Sequence, residues 1–278
     1  MHSFLLRHLA AASVAMVASV SAPASWAQEA TSEADAPAQE KRDARDELPR
    51  VLFVDSAFGM KGGTFGAAAS GGGSFAQNQN KGIGGGLVAY APIDRLTFDI
   101  AGGRTSDSRW APVATGAFRF LGSLTQGYAL AALLRYKAEG FTEYGGEVEF
   151  GFGTSLRSHR FVLDANLVTG IGLESEGAGA EKNAKAGEEP PTEVDGEAKL
   201  RIGYEVLDIL RLGVEGQGRR RFSGPRALAG GRSWDLAVGA QAMLRLSPLL
   251  VAVTAGPTTK DVEKGAGAFA WLTVGFVL

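Results

Sequence analysis

A period-two pattern of side chains runs from Asp195 to Phe222 and limits the folds that this chain can adopt. Apolar residues alternate with charged residues up to Val206, and the alternation resumes after Leu207 and Asp208. A helix cannot produce this pattern, because its side chains return to one face every three or four positions. The segment therefore predicts two strands joined by a tight turn, with one apolar face and one charged face.

Two kinds of β protein can contain such a hairpin. A soluble sandwich buries the apolar face and leaves the charged face in water. A transmembrane barrel turns the apolar face to lipid and the charged face to its interior. The rest of the chain is needed to choose between them.

The composition excludes several functional classes. The chain has no cysteine, so it can form no disulfide and no cysteine-ligated metal site. Its formal net charge of −2 indicates no general attraction to nucleic acid. Its 39 glycines suit tight turns and small inward side chains, and they argue against a helical protein.

The N-terminal region predicts export. An apolar run from Leu9 to Val20 is too short to cross a bilayer as a helix, and Ser25-Trp26-Ala27 offers a small-x-small cleavage site. The sequence divides into a signal peptide over 1–27, a disordered periplasmic leader over 28–50 and a transmembrane β-barrel domain over 51–278. A plug inside the barrel built from the leader is the less favoured interpretation.

Strand-like alternation recurs in about twelve segments, within a range of about 10 to 14. The predicted strands cover 51–59, 82–91, 95–104, 111–121, 127–138, 143–153, 159–173, 195–206, 209–222, 233–246, 249–256 and 266–278. Connections after even-numbered strands are short, and those after odd-numbered strands are mostly long, beginning with the loop from Met60 to Lys81. This alternation predicts an all-β fold, a closed antiparallel up-and-down transmembrane barrel with both termini at the short-turn end.

Aromatic residues on the predicted outward face fall at two heights, as the two lipid–water boundaries of a membrane require. This arrangement favours a barrel over a sandwich. Near the short turns they are Tyr90, Phe98, Tyr128, Phe152, Phe161 and Tyr204, and near the long loops they are Tyr136, Tyr144, Phe222 and Trp234.

The end of the chain, from Gly265 to Leu278, resembles the C-terminal strand of Gram-negative bacterial outer-membrane β-barrel proteins. The usual last residue is aromatic, whereas here Leu278 is last and Phe276 lies two positions earlier on the same face. The resemblance covers about 51–278 and indicates no narrower family. It implies an outer-membrane location with periplasmic termini. It also implies three partners: outer-membrane lipid, lipopolysaccharide and the barrel-assembly machinery.

Charged residues on the predicted inward face form the main candidate site. An acidic sixth strand would partly face or flank basic eighth and ninth strands, and such a field orients polar solutes. Alternatively, these charges pair with one another and fill the interior. A barrel of about twelve strands is intermediate in size between small barrels, which side chains plug, and large barrels, which are open. The predicted lumen and selectivity residues are Glu147, Glu149, Lys199, Arg201, Arg211, Glu215, Arg219 and Arg221.

A second candidate site lies at the predicted outer rim. Guanidinium groups match phosphate with paired hydrogen bonds, so arginines here suit lipopolysaccharide or an anionic solute. A solvated loop is the simpler interpretation. The residues are Arg220, Arg226 and Arg232.

Catalysis is not predicted. His159 is the only histidine beyond the signal peptide, and it falls in a short turn. The sequence has no hydrolase, metalloprotease or phosphate-loop motif, and no cofactor or metal site is expected. The sequence therefore predicts a small passive porin or channel for small polar solutes. The alternative is a closed structural barrel that binds lipopolysaccharide or a partner through its long loops.

Overall fold

The computed structural model describes residues 48, 50, 54–76, 79–105, 110–138, 146–173, 194–221, 234–259 and 266–278. These residues form a closed barrel of twelve antiparallel strands. The strands are β1 (Thr64–Ala76), β2 (Gln79–Ile93), β3 (Leu96–Thr105), β4 (Ala111–Ser123), β5 (Tyr128–Ala138), β6 (Gly146–Ser158), β7 (Phe161–Leu173), β8 (Val194–Leu207), β9 (Leu210–Arg221), β10 (Asp235–Leu246), β11 (Leu249–Thr258) and β12 (Gly267–Val277). Each strand pairs with its neighbours in sequence, and β1 pairs with β12. The predicted all-β up-and-down barrel is confirmed. No helix in the described part of the chain is long and apolar enough to cross a bilayer.

The strand register places side chains on the faces that the alternation predicts. Tyr136 pairs with Val148 on the outer face, and Arg135 pairs with Glu149 on the inner face. Phe150 on the outer face is 56% exposed, whereas Glu149 beside it is 1% exposed. A barrel that exposes large apolar side chains and buries charged ones is stable only with lipid around it.

The connections differ between the two ends of the barrel. At one end, the short-turn end, the turns comprise residues 94–95, 124–127, 159–160, 208–209 and 247–248. Both ends of the strand ladder meet there, because the N–H of Phe65 donates to the carbonyl of Leu278 at 2.9 Å. The opposite, long-loop end contains the connections 106–110, 139–145, 174–193, 222–234 and 259–266, which lie mostly outside the described residues.

The predicted first strand is wrong. Described residues 54–60 belong to no strand, and β1 instead occupies part of the stretch from Met60 to Lys81 that was predicted as a long loop. The connection from β1 to β2 comprises only residues 77–78. The other eleven strands overlap their predicted spans.

Small side chains explain why β1 escaped detection. Ala67 and Ala69 lie on one face of this strand, and Ala68 and Ser70 lie on the other. The two faces therefore show no contrast between apolar and polar residues, and that contrast is what reveals a strand in a sequence.

Candidate functional site

The chain that precedes β1 folds into the barrel interior. We call its described residues Leu48, Arg50 and 54–60 the inner segment. Arg50 and Asp55 form an isolated antiparallel bridge, so the chain runs in opposite directions at these two residues. Val54, next to Asp55 in the chain, is 0% exposed.

The first and last residues of the inner segment, Leu48 and Met60, lie at the short-turn end of the barrel. At the last residue of the inner segment, the N–H of Met60 donates to Thr97 Oγ1 at 3.3 Å. Beyond it, the N–H of Gly62 donates to Asp94 Oδ1, in the β2–β3 turn, at 2.7 Å. The inner segment therefore joins β1 at this mouth.

Glycines in β1 and β12 make room for Leu48. A Cβ atom on Gly275 would lie 2.7 Å from Leu48 Cδ1, and one on Gly66 would lie 3.0 Å from Leu48 Cδ2. Leu48 thus packs directly against the backbone of the wall. It belongs to an apolar cluster with Met60, Leu87, Ala89, Ala91, Met243, Leu250, Ala252 and Val277.

Deeper in the barrel, wall side chains bond to the main chain of the inner segment. The N–H of Val54 donates to Glu215 Oε1 at 2.8 Å. Asn166 takes both polar groups of one residue: its Oδ1 accepts from the N–H of Asp55 at 2.7 Å, and its Nδ2 donates to the carbonyl of Asp55 at 2.9 Å. Glu215 is 0% exposed and Asn166 is 4% exposed, so these bonds form away from water.

Wall side chains also form hydrogen bonds with the main chain of Ala57 and Phe58. The N–H of Ala57 donates to Ser155 Oγ at 2.7 Å, and Arg119 Nη1 donates to the carbonyl of Phe58 at 2.6 Å. A cavity of about 10 Å³, space for about one water molecule, lies between residues 56–59 and the β2–β3 turn.

One carboxylate of the inner segment joins the charged side chains of the wall. Asp55 Oδ2 accepts from Arg135 Nη2 at 2.6 Å, and Arg135 Nη1 donates to Glu149 Oε2 at 2.9 Å. Arg50 Nη2 lies 3.3 Å from Asp99 Oδ1. Asp55 is not among the predicted site residues, because the sequence pattern predicted a strand over 51–59. The apolar run Val51–Val54 was a signal against that assignment, since a lipid-facing strand alternates.

Toward the long-loop end, acidic and basic side chains of the wall interleave. Lys137 Nζ lies 3.8 Å from Glu147 Oε2 and 3.6 Å from Glu197 Oε1. Lys199 Nζ lies 2.8 Å from Glu197 Oε2, and Arg219 Nη2 lies 3.3 Å from Glu147 Oε2. Arg219 also pairs with Asp195. In the described residues these inward charges therefore form neighbouring ion pairs.

Buried ion pairs also occur on the inner wall nearer the short-turn end. Arg201 Nε and Nη2 both donate to Asp164 Oδ2, at 2.9 and 2.8 Å. Glu205 Oε1 accepts from Arg211 Nη2 at 3.0 Å and from Arg245 Nη2 at 2.7 Å. These contacts agree with the alternative interpretation, in which the inward charges pair and fill the interior.

The predicted site residues fall into three groups. Seven of the predicted lumen residues lie on the inner face: Glu147, Glu149, Lys199, Arg201, Arg211, Glu215 and Arg219. Arg221 is opposite Asp195 in the register, and its side chain, like residues Arg226 and Arg232, lies outside the described part. The guanidinium of Arg220 lies 5.9 Å from the ring of Trp234.

The predicted turn histidine is placed as expected. His159 is exposed in the turn between β6 and β7, where it adopts a φ of 52°. Within the described ranges, no three His, Cys, Asp or Glu side chains are grouped so that they could hold a metal ion.

Comparisons with known proteins identify the fold. No protein-family model matches the sequence, and no curated protein matches it. Among solved structures, the NanC porin superposes with a TM-score of 0.60 and 6% sequence identity, covering 76% of this chain and 98% of that chain. The KdgM porin has a TM-score of 0.47 and 9% identity, covering 75% and 98%. The translocator domain of autotransporter NalP from Neisseria meningitidis has a TM-score of 0.42 and 13% identity, covering 77% and 86%.

The likeness to the NanC porin is one of fold, at an identity that says nothing about solutes. The two lower scores add no further support. Together with the closed ladder of twelve strands and the apolar outer face, the superposition gives one conclusion. The chain has the fold of the Gram-negative outer-membrane β-barrels.

Proposed function

We propose that the protein is an outer-membrane channel for small polar solutes, with periplasmic termini, that the inner segment closes from the periplasmic side. One observation carries this proposal. The inner segment lies inside the barrel and, among the described residues, pairs with no strand of the barrel, since the bridge between Arg50 and Asp55 is internal to it. It can therefore leave through the short-turn mouth without breaking the ladder that holds the barrel together.

The contacts of the inner segment favour the closed state at rest. A buried hydrogen bond contributes about 1 kcal/mol, and a fully buried large apolar side chain contributes about 1.5–3 kcal/mol. The segment makes several bonds of the first kind, and it buries Leu48, Val54, Phe58 and Met60. Openings are therefore expected to be rare in the unmodified protein.

The same proposal includes the partners of the outer surface. The apolar outer face suits outer-membrane lipid, and Arg220, stacked on Trp234, suits a lipopolysaccharide phosphate near the long loops. Strand β12, with Phe276 exposed on the outer face, suits recognition by the barrel-assembly machinery.

A permanently closed barrel with a structural or surface-binding role is the second candidate. The occupied interior and the paired inward charges favour it as much as they favour a resting channel. The two candidates differ only in whether the inner segment ever leaves.

Ala57 and Gly153 offer a reversible lock that tests this difference. A Cβ atom placed on Gly153 lies 3.7 Å from Ala57 Cβ, close to the separation of about 3.8 Å in disulfides. The natural chain has no cysteine, so Ala57→Cys with Gly153→Cys creates one defined bond between the inner segment and β6. In planar bilayers, we expect the oxidised double variant to be silent. After reduction we expect discrete single-channel openings.

The single variants Ala57→Cys and Gly153→Cys are the matched controls, and reductant should not change their conductance. Equal conductance of the oxidised and reduced double variant would show that the inner segment does not close the channel. Silence of both the reduced variant and the unmodified protein, in barrels that migrate as folded on gels, would favour the second candidate.

A further inference from the structure

The wall recognises the inner segment mainly through its main chain. Four side chains, from β4, β6, β7 and β9, bond to peptide N–H or C=O groups of residues 54–58: Arg119, Ser155, Asn166 and Glu215. Main-chain groups are the same in every peptide. Such bonds therefore recognise a polypeptide as a class rather than one sequence.

Asn166 shows this most clearly. Its amide matches the N–H and the C=O of Asp55 together, as a neighbouring strand would. A carboxamide supplies one acceptor and two donors in a fixed plane, which suits a peptide unit. This arrangement fits a ligand that offers both an N–H and a carbonyl within one residue.

Glu215 and Ser155 narrow the ligand class further. Both present an oxygen to an N–H of the inner segment, at 2.8 Å from Val54 and 2.7 Å from Ala57. A phosphate or a carboxylate without amide groups offers no donor to these oxygens. The adjacent guanidinium of Arg135 pairs with Asp55, so it suits one carboxylate on the ligand.

We propose that this wall is a binding site for short peptides that carry a carboxylate, and that the inner segment is its built-in occupant. The site comprises Arg119, Arg135, Ser155, Asn166 and Glu215. The inference rests on the proposed function, because the inner segment must leave before another peptide can bind. It names peptides as the solute class of the opened channel.

The test uses the full chain with the inner segment displaced. A tethered segment competes at an effective concentration of about 1 mM, so it must first be weakened. Asp55→Lys places a cation beside Arg135 and Arg50 and should expel the segment. Asp208→Lys makes the same charge change in the exposed β8–β9 turn and serves as the control.

The probe is a fluorescein-labelled synthetic peptide with the sequence of residues 50–60, and its binding is followed by anisotropy. We expect it to bind the Asp55→Lys protein at least about tenfold more tightly than the Asp208→Lys protein. Adding Asn166→Ala to Asp55→Lys should weaken binding about tenfold, as loss of two buried hydrogen bonds predicts. A peptide N-methylated at the Asp55 amide should lose a similar factor, and a peptide with Asn in place of that Asp should also bind more weakly.

Equal binding of the N-methylated and unmodified peptides would overturn main-chain recognition, and no binding to Asp55→Lys would overturn the site. If Asp55→Lys fails to fold, Asp55→Asn replaces it in the same comparison. Conductance of the same variant separates the two proposals. Channel openings without peptide binding would support the proposed channel and overturn the peptide site. Peptide binding without channel openings would support the peptide site and overturn the proposed channel.

Discussion

Gly170 on β7 shows how a single residue organises the charged wall. A Cβ atom at this position would collide with Glu147 Oε1 and Asp195 Oδ1. Because Gly170 has no side chain, carboxylates from β6 and β8 lie across β7, where Arg219 of β9 pairs with both. Charges three strands apart in the ladder therefore meet, an outcome that the order of charges along the chain does not reveal.

Loss of Asp164 should destabilise the wall. It is 1% exposed and pairs with Arg201, which is 2% exposed. Asp164→Leu should lower the free energy of unfolding by about 3–5 kcal/mol, because it removes the carboxylate partner of a buried guanidinium. Urea unfolding in lipid vesicles measures this change.

Adding Arg201→Met to Asp164→Leu is the matched control. The double variant should regain most of the lost stability, because apolar groups of similar volume replace a buried ion pair with little cost. A double variant as unstable as Asp164→Leu alone would contradict this account of the pair.

At the scale of elements, β1 and the inner segment exchanged their predicted roles. Eleven strands were predictable, because each alternates between an apolar and a polar or small-residue face. Strand β1 carries small residues on both faces, so it reads as a flexible loop. The inner segment lies inside the barrel and belongs to no strand, although residues 51–59 were predicted as one.

Closure between β1 and β12 should depend on Gly72. A Cβ atom there would collide with the carbonyl oxygen of Ala270, whereas one on Gly82 in β2 would meet nothing within 4 Å. Gly72→Ala should cost about 1–3 kcal/mol, because the two paired backbones must move apart. The measurement is the fraction of refolded protein that migrates as the compact barrel on unheated gels.

Gly82→Ala is the control for Gly72→Ala and should refold as the unmodified protein does. Equal yields for the two variants would show that the β1–β12 pairing adapts to a side chain at position 72.

At the scale of the whole molecule, the barrel is inverted relative to a soluble protein. Large apolar residues such as Ile100, at 67% exposure, face outward, while Arg201 and Glu215 face inward at 2% and 0%. The outward aromatic residues predicted near the short turns are likewise exposed, from 36% for Tyr128 to 55% for Phe152. This distribution requires a lipid environment.

A charged side chain on the outer face should therefore cost more stability near the middle of the membrane than near its surface. Phe150→Arg, near the middle of β6, should lower stability in vesicles by about 2–4 kcal/mol. Tyr204→Arg, near the short-turn end of β8 and similarly exposed at 54%, should cost about 0–1 kcal/mol. Equal costs at the two depths, measured by urea unfolding, would contradict the membrane orientation of the barrel.

The sequence by itself determined the barrel, its strand alternation, its two unlike ends and the inward set of charged residues. It could do so because a membrane barrel must turn every second side chain toward lipid, a constraint that acts on neighbouring residues. Only the tertiary structure decided what fills the interior. Val54, Asp55 and Ala57 meet wall partners 161, 111 and 98 residues away in the chain. No local pattern specifies such partners, because they are brought together only when twelve strands close around them.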